Sequence, residues 1–579
     1  MNFKINTIIM KRLYIGLYLL SLFTLSVFAQ HKTVTIKLIE TTDIHGNFFP
    51  YDFISNKPYG GSLSRICSFV DKQREQFGKN DVLLLDNGDI LQGQPSAYYA
   101  NYIDTTHINM TARIMNFMHY DVASLGNHDI ETGHAVYDKF RQNCDFPVLS
   151  ANMINNATRV PYCQPYQMFY RDGIRIAVLG MITPAIPAWL SETLWQGITF
   201  DDMVKTAKKW IPIIKEREHP DLIVGLFHSG RADGIVTDEY KENESETVAR
   251  EVPGFDLVFF GHDHTRYCKE IENNDHQNVW LVDAAKSGFV VGDVTATFTL
   301  QDDTVISKKL SAQLTDMDAY NPSPEFMTTF KTDFTAVKQY IDEPIGKLTA
   351  DLSADHCLFG PSLLLDFIQQ MQLSISGADI SITAPLTTSG KVSKGTIYMR
   401  NMFTLYRFEN GLYKMRLTGR EVKDELEYSY GLWFNQMKKP SDHLLLLEGD
   451  RLKNYSFNFD SAAGIKYEVD VSKPVGERVH IISMSNGQPF SLTKTYMVAV
   501  NSYRGNGGGE LLTRGAGIPK ADLIKRIVWT SDKDLRYYMM QYIKSKKEIK
   551  PVSLNNWCVI PKSWAQEAAK RDAALLLNK

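Results

Sequence analysis

The chain has 579 residues, 44% hydrophobic and 22% charged, with a formal net charge of −3. That length exceeds one ordinary domain and points to about two to four folded units. The composition is that of a folded soluble protein, and the near-neutral balance carries no footprint for a nucleic-acid polymer or an anionic membrane surface.

At the N-terminus Lys4, Lys11 and Arg12 precede an apolar run from Leu13 to Phe28, which ends in the small-residue stretch SVFAQ. This is the pattern of a signal peptide over 1–29, cleaved after Ala29. The run is short for a membrane span, and no Cys follows it to carry a lipid anchor. The expectation is an exported chain, periplasmic or at the cell surface, with no stable membrane embedding after cleavage. The six cysteines (Cys67, Cys144, Cys163, Cys268, Cys357 and Cys558) form no CxxC pair. Zinc–thiolate and thioredoxin-like sites are therefore excluded, and any disulfide pairing stays open.

Over 30–320, apolar runs alternate with helical stretches. VTIKLIETTDIHG, DVLLLDNGD, IRIAVLG, DLIVGLFHSG and DLVFFGHDH each pass from a Val/Leu/Ile/Phe-rich strand into a turn rich in Gly, Asp or His. That format predicts an α/β layered domain with its site on loops at the strand C-terminal ends. Residues 321–346 follow, punctuated by Pro322 and Pro324 and closed by Pro344 and Gly346, with helical spacing between. They predict a linker helix. A second mixed α/β domain is expected over 347–535. It includes the helical GPSLLLDFIQQMQL, the strand GADISIT and the strand-then-helix YKMRLTGREVKDELEYS. Residues 536–579 are expected as a C-terminal tail ending in a helix.

Five short motifs each end one apolar run: Asp43-Ile44-His45, Gly88-Asp89, Gly126-Asn127-His128, His228, and Gly261-His262-Asp263-His264. Each is weak alone, but all five occur in one context within one domain. In extended backbone, residues i and i+2 share a face, so Asp43 with His45, and His262 with His264, can each aim two ligands at one spot. By the same alternation Asn127 and His128 point to opposite sides. His31, His107, His119 and His134 lack the context and are read as ordinary core or surface residues. Carboxylate, imidazole and amide oxygen without thiolate suit zinc, manganese or a similar divalent ion better than calcium. Seven ligand side chains exceed the needs of one four-coordinate ion and suggest two ions sharing a carboxylate. Two divalent ions outweigh Asp43 and Asp89, and neutral Asn127 preserves the excess. The site therefore favours an anionic substrate such as a phosphate ester.

The set DxH, GD, GNHD, H and GHxH resembles the calcineurin-like metallophosphoesterases. The chain from about 33 to 560 resembles the exported 5′-nucleotidase superfamily, which joins such a domain to a C-terminal nucleotide-binding domain. The resemblance implies a four-layer α/β/β/α domain followed by a mixed α/β domain. It implies that Asp43, His45 and His264 bind one ion, that Asn127, His228 and His262 bind the other, and that Asp89 bridges. Water activated by the ions is then the nucleophile, with His128 facing the phosphoryl group to stabilise charge or assist the leaving group. Relatives orient this His with an Asp three positions later. Here Glu131 stands there, one methylene longer, and is expected to hold the imidazole tautomer. Asp129 is expected to be structural.

Two aromatic rings sandwich the base in this superfamily. The segments LYRFENG and NSYRGNGGG point to Phe408 and Tyr503, with Gly507 and Gly508 permitting close approach of the ligand. 5′-Nucleotidases carry an Asn-Gly-Gly-x-x-Arg stretch where this chain has ITAPLTTSGKV, and Gly-Gly-Asp where it has Gly507-Gly508-Gly509. These departures, with FNFDSAAGIKYEVDV and NNWCVIP, resemble the 2′,3′-cyclic-nucleotide 2′-phosphodiesterase/3′-nucleotidase branch. The reaction so implied opens a cyclic phosphate to a 3′-nucleotide and then releases phosphate and nucleoside, as in nucleotide salvage. The alternatives are a 5′-nucleotidase or nucleotide-sugar hydrolase, and a non-catalytic nucleotide-binding surface protein.

Overall fold

The computed structural model describes residues 31–237 and 240–577. The expected signal peptide lies outside the described residues. Among the described residues no helix is long and apolar enough to cross a membrane.

The five apolar runs are strands, and two sheets share them. The first sheet is six-stranded, in the order Thr304–Asp316, Val290–Gln301, His31–Thr41, Val82–Asp86, Val122–Ser124 and Val148–Leu149. The last four of these are parallel. The second sheet runs Arg266–Glu272, Asn278–Ala284, Leu257–Phe260, Leu222–His228, Ile174–Ile182 and Tyr166–Arg171. Its four central strands are parallel and its edges antiparallel.

Each central strand is covered on both faces, which is why these segments are continuously apolar rather than alternating. Leu83 and Leu85 face inward and meet Ile176, Val178, Val224 and Leu226 of the other sheet. Leu84, between them, faces outward into the core of the helices Leu63–Phe77, Met110–Phe117 and His134–Asn143. On the far side, Leu179, Phe227 and Val258 pack under the helices Met203–Glu218 and Ser245–Glu251. The result is the expected α/β/β/α stack, with the parallel strands of both sheets ending on one rim.

The segment read as a single linker helix is two helices, Pro324–Thr329 and Lys331–Ile341, followed by the strand Pro344–Leu348. They break at Phe330 (φ −99°, ψ 18°), whose ring, with Phe326, Val337 and Ile341, is buried in the N-terminal core. The connection is thus packed onto the first domain. In the second domain a five-stranded sheet, in the order Ser461–Ala463, Ile380–Thr383, Thr495–Asn501, Leu412–Thr418 and Ile527–Thr530, carries the helices Leu363–Ser376 and Gly419–Trp433. Of the expected tail 536–579, the described residues, 536–577, are woven into this domain. Glu548–Ile549 pairs with Pro344–Leu348, and Trp557–Ile560 pairs with Ile465–Asp470.

A buried cation joins the domains. The Arg536 guanidinium is fully buried. It lies 4.7 Å from the ring centroid of Tyr98, in the first domain, and 4.5 Å from that of Phe403, in the second. Its Nη2 is 2.6 Å from Glu409 Oε1, and Tyr102 of the first domain donates its hydroxyl to Glu409 Oε2 at 3.1 Å. Burial pushes the Glu409 carboxyl up to about 7, against the lowering effect of Arg536. Removing the cation strands that carboxyl in an apolar interior. Arg536→Ala should therefore lower the unfolding free energy by about 3–5 kcal/mol, measured by urea denaturation; a loss below about 1 kcal/mol would show that the pair is hydrated.

Candidate active site

All five motif loops leave strands at the common rim. Asp43, His45, Asp89, His262 and His264 have φ of 49°, 49°, 56°, 82° and 57°. The expectation of extended backbone in these motifs is therefore wrong. Each chain turns through left-handed conformations that non-glycine residues adopt only when the surroundings enforce them. As a result His262 and His264 are turned to different clusters rather than to one spot. Asn127 and His128 do not alternate across a strand either. They open the short helix Asn127–Glu131, so successive side chains diverge by about 100°.

Two clusters form. Asp43, His45 and His264 make one, and Asp89, His228 and His262 the other; within each, the ligand atoms lie within 4.8 Å of one another. His264 Nε2 is 3.1 Å from Asp43 Oδ1 and 3.1 Å from His45 Nε2. His228 Nε2 is 3.2 Å from Asp89 Oδ2 and 3.2 Å from Asn127 Oδ1, while His262 Nδ1 is 2.7 Å from the same amide oxygen. Asp89 Oδ2 is also 4.0 Å from His45 Nε2, so one carboxylate oxygen lies between the clusters. Asp43 Oδ1 and Asp89 Oδ2 are buried without an aligned hydrogen-bond donor. Carboxylate, imidazole and amide donors aimed at common points, with two anionic oxygens unsatisfied, fit divalent cations.

Backbone carbonyls orient the rings. His45 Nδ1 is 3.0 Å from the Gln92 carbonyl and His228 Nδ1 is 2.7 Å from the Asn87 carbonyl, leaving both Nε2 atoms directed inward. His262 is reversed: its Nδ1 faces inward, and its Nε2 is 3.1 Å from Glu242 Oε1. Trp189 stacks on the same ring at 5.6 Å and 28°. Neither Glu242 nor Trp189 sits in a motif, so no spacing in the sequence reveals them. Burial pushes the His45 imidazole down to about 4, only partly offset by Asp89 and Asp43.

Asp129 is the bracket of the site. Its Oδ2 accepts from the backbone N–H groups of Asp89 and Gly126 at 2.8 Å each, and its Oδ1 from Ile90 at 3.0 Å and Leu91 at 2.8 Å. It thereby ties the Asp89 loop to the Asn127 turn. Gly126 has to be glycine there, since a Cβ would fall 2.1 Å from Asp89 Oδ1. His128 donates its backbone N–H to that oxygen at 2.8 Å. One turn on, Glu131 Oε2 lies 2.6 Å from His128 Nδ1, so the longer acid still reaches the ring. Burial would lower the His128 pKa, but Asp89 and then Glu131 outweigh it and hold the imidazole up at about 9.

The clusters open onto a cleft of about 1120 Å³ between the domains. Asn127, His128, Glu131, His262 and His264 line one wall, and Phe408 and Tyr503 line the other. Tyr406 is fully buried. Gly507 and Gly508 are not at the cleft surface, where Gly509 and Glu510 stand instead. Gly508 acts from behind: a Cβ there would meet the Tyr503 ring at 2.5 Å, so its absence lets the ring lie against the backbone. Phe457 also lines the cleft and has no counterpart among the residues singled out from sequence.

Residues 36–266 match the family model of the calcineurin-like phosphoesterases, and residues 344–514 match that of the 5′-nucleotidase C-terminal domain. The chain thus carries a calcineurin-like phosphoesterase domain followed by a 5′-nucleotidase C-terminal domain. Among relatives, it is 27% identical to the trifunctional nucleotide phosphoesterase protein YfkN of Bacillus subtilis over 92% of this chain, but it spans only 39% of YfkN. It is also 27% identical to the 2′,3′-cyclic-nucleotide 2′-phosphodiesterase/3′-nucleotidase of Yersinia enterocolitica, over 91% of this chain and 88% of that one. In fold, it is similar to a solved Staphylococcus aureus structure carrying the name 5′-nucleotidase. The TM-score is 0.74 at 22% identity, covering 91% of this chain and 99% of that one.

Asp129 gives a direct test of the bracket. Asp129→Ala leaves four buried N–H groups without acceptors, each costing about 1–3 kcal/mol. The variant should lose at least about 3 kcal/mol of stability in urea. A variant as stable as the parent would show that these loops hold themselves.

Proposed function

We propose that the chain hydrolyses nucleotide phosphate esters after export to the periplasm or cell surface. The foremost substrates are 2′,3′-cyclic nucleotides, opened to 3′-nucleotides, and the 3′-nucleotides themselves. The observation that carries this reading is the single cleft with two cation-type clusters on one wall and Phe408 and Tyr503 on the other. Such a cleft suits a ligand with an anionic end and a flat apolar end. The cyclic and 3′ branch is supported by the lack of the Asn-Gly-Gly-x-x-Arg stretch, by Gly507-Gly508-Gly509, and by the name of the Yersinia relative.

In this reading Asp43, His45 and His264 hold one divalent ion, zinc or manganese by donor type. Asn127, His228 and His262 hold the second, and Asp89 serves both. Bound there, the ions supply Lewis-acid activation of water and neutralise the phosphoryl charge. His128 does the proton work of the protein. Glu131 fixes its Nδ1–H, and the protonated imidazole carries a second proton on Nε2. That proton is available to the leaving ribose oxygen. Phe408 and Tyr503 hold the base, with each stacking contact worth about 1–3 kcal/mol.

Hydrolysis of 2′,3′-cyclic AMP, 3′-AMP and 5′-AMP compared side by side tests the substrate. We expect higher kcat/KM on the first two, and a clear preference for 5′-AMP would make the chain a 5′-nucleotidase instead. His128→Ala should keep its metal content and lose about a hundredfold or more in kcat, the ordinary worth of a general acid. Loss of metal in that variant would contradict its assignment.

A further inference from the structure

Phe457 sits on the single tight turn Ser456–Asn458 of the second domain, at the cleft surface. Its ring centroid is 6.1 Å from that of Tyr503, at an interplanar angle of 89°, and 6.4 Å from that of Phe408, at 80°. One ring thus stands nearly perpendicular to both rings that hold the base. A base lying flat between Phe408 and Tyr503 presents its rim, not its face, toward Phe457.

We infer that Phe457 is the end wall of the base slot: it touches the rim of the bound base, sets how far the base enters, and so discriminates purine from pyrimidine. The inference rests on the nucleotidase reading above and adds a specificity residue to it.

A wall sorts ligands by size only if it cannot yield, and this one is braced. Tyr455 stacks on Phe457 at 5.1 Å and 8°. The buried Arg504 donates Nη2 to the Phe457 carbonyl at 3.0 Å. The same guanidinium is held by Asp460, through Nε to Oδ2 at 2.6 Å and Nη2 to Oδ1 at 3.2 Å. Its Nη1 donates to the Gly508 carbonyl, on the glycine that lets Tyr503 lie flat. Arg504 is therefore a positioning residue that hangs the end wall and the support of one stacking ring from one cation. Ser456 fixes the start of the turn by donating its hydroxyl to the Pro385 carbonyl at 3.1 Å.

The test measures kcat and KM of the full chain and of Phe457→Ala and Phe457→Leu on 3′-AMP, 3′-CMP and the base-free ester glycerol 2-phosphate. Losing a base–aromatic contact should raise KM for the nucleotides about tenfold, with a much smaller change in kcat. The loss of kcat/KM on the nucleotides should exceed that on glycerol 2-phosphate by about fivefold or more, and the 3′-AMP to 3′-CMP ratio should move by about threefold or more. Phe457→Leu, which keeps an apolar side chain in the turn, decides the matter if the alanine variant misfolds. Nucleotide KM and the base ratio both staying within about twofold in variants of a nucleotide-preferring parent overturn the end wall. A parent that does not prefer nucleotides to glycerol 2-phosphate removes the nucleotidase reading itself, and the end wall with it.

Discussion

Two anionic oxygens, Asp43 Oδ1 and Asp89 Oδ2, are buried among imidazoles without an aligned donor. Buried carboxylate charge is costly unless cationic groups compensate it, and the groups facing these oxygens are His264, 3.1 Å from Asp43 Oδ1, and His228, 3.2 Å from Asp89 Oδ2. The surrounding architecture serves that constraint. Strands from both sheets end at one rim, and five ligand-bearing residues accept left-handed backbone to face inward. Asp129 collects four backbone N–H groups to stop the two central loops from separating. The strain and the buried charge are offset by the stacked apolar layers behind them.

The second domain supplies what the Asp- and His-rich rim lacks, an aromatic wall of Phe408, Phe457 and Tyr503. Its position depends on Arg536, whose cation is shared between Tyr98 of one domain and Phe403 of the other and is neutralised by Glu409. Glu409 directly follows Phe408 in the chain, so the interdomain contact and this cleft-lining ring share one loop. Placement of the ring is thereby coupled to closure of the interface.

Much of this was legible in the sequence. Continuous apolar runs ending in Asp- and His-rich turns identified the strands and the motif residues that gather at their ends, because in a doubly covered sheet the same residues that fill the core deliver the loop to the rim. The pairing of Glu131 with His128 was expected from the resemblance alone, and the structure sets the two residues one helical turn apart. The local backbone was not. Alternation in extended chain was the wrong rule for Asp43-Ile44-His45 and His262-Asp263-His264, since left-handed turns are imposed by tertiary contacts rather than by residue type. Glu242, Trp189, Phe457, Arg504 and Arg536 stayed hidden for a related reason. Glu242, Trp189 and Arg536 stand in no motif, while Phe457 and Arg504 lie inside FNFDSAAGIKYEVDV and NSYRGNGGG, whose residue types alone did not single them out. The C-terminal segment was underestimated because strands as short as Glu548–Ile549 and Trp557–Ile560 pair with distant neighbours and carry little periodicity of their own.

The central claim is that the two clusters are paired cation sites sharing the Asp89 carboxylate. Elemental analysis of the purified full chain, stripped with a chelator and reloaded with manganese or zinc, tests it most directly. Two divalent ions per chain, with occupancy of both lost in Asp89→Ala, is the predicted result. One ion per chain or none, or an Asp89→Ala protein that retains both, would contradict it.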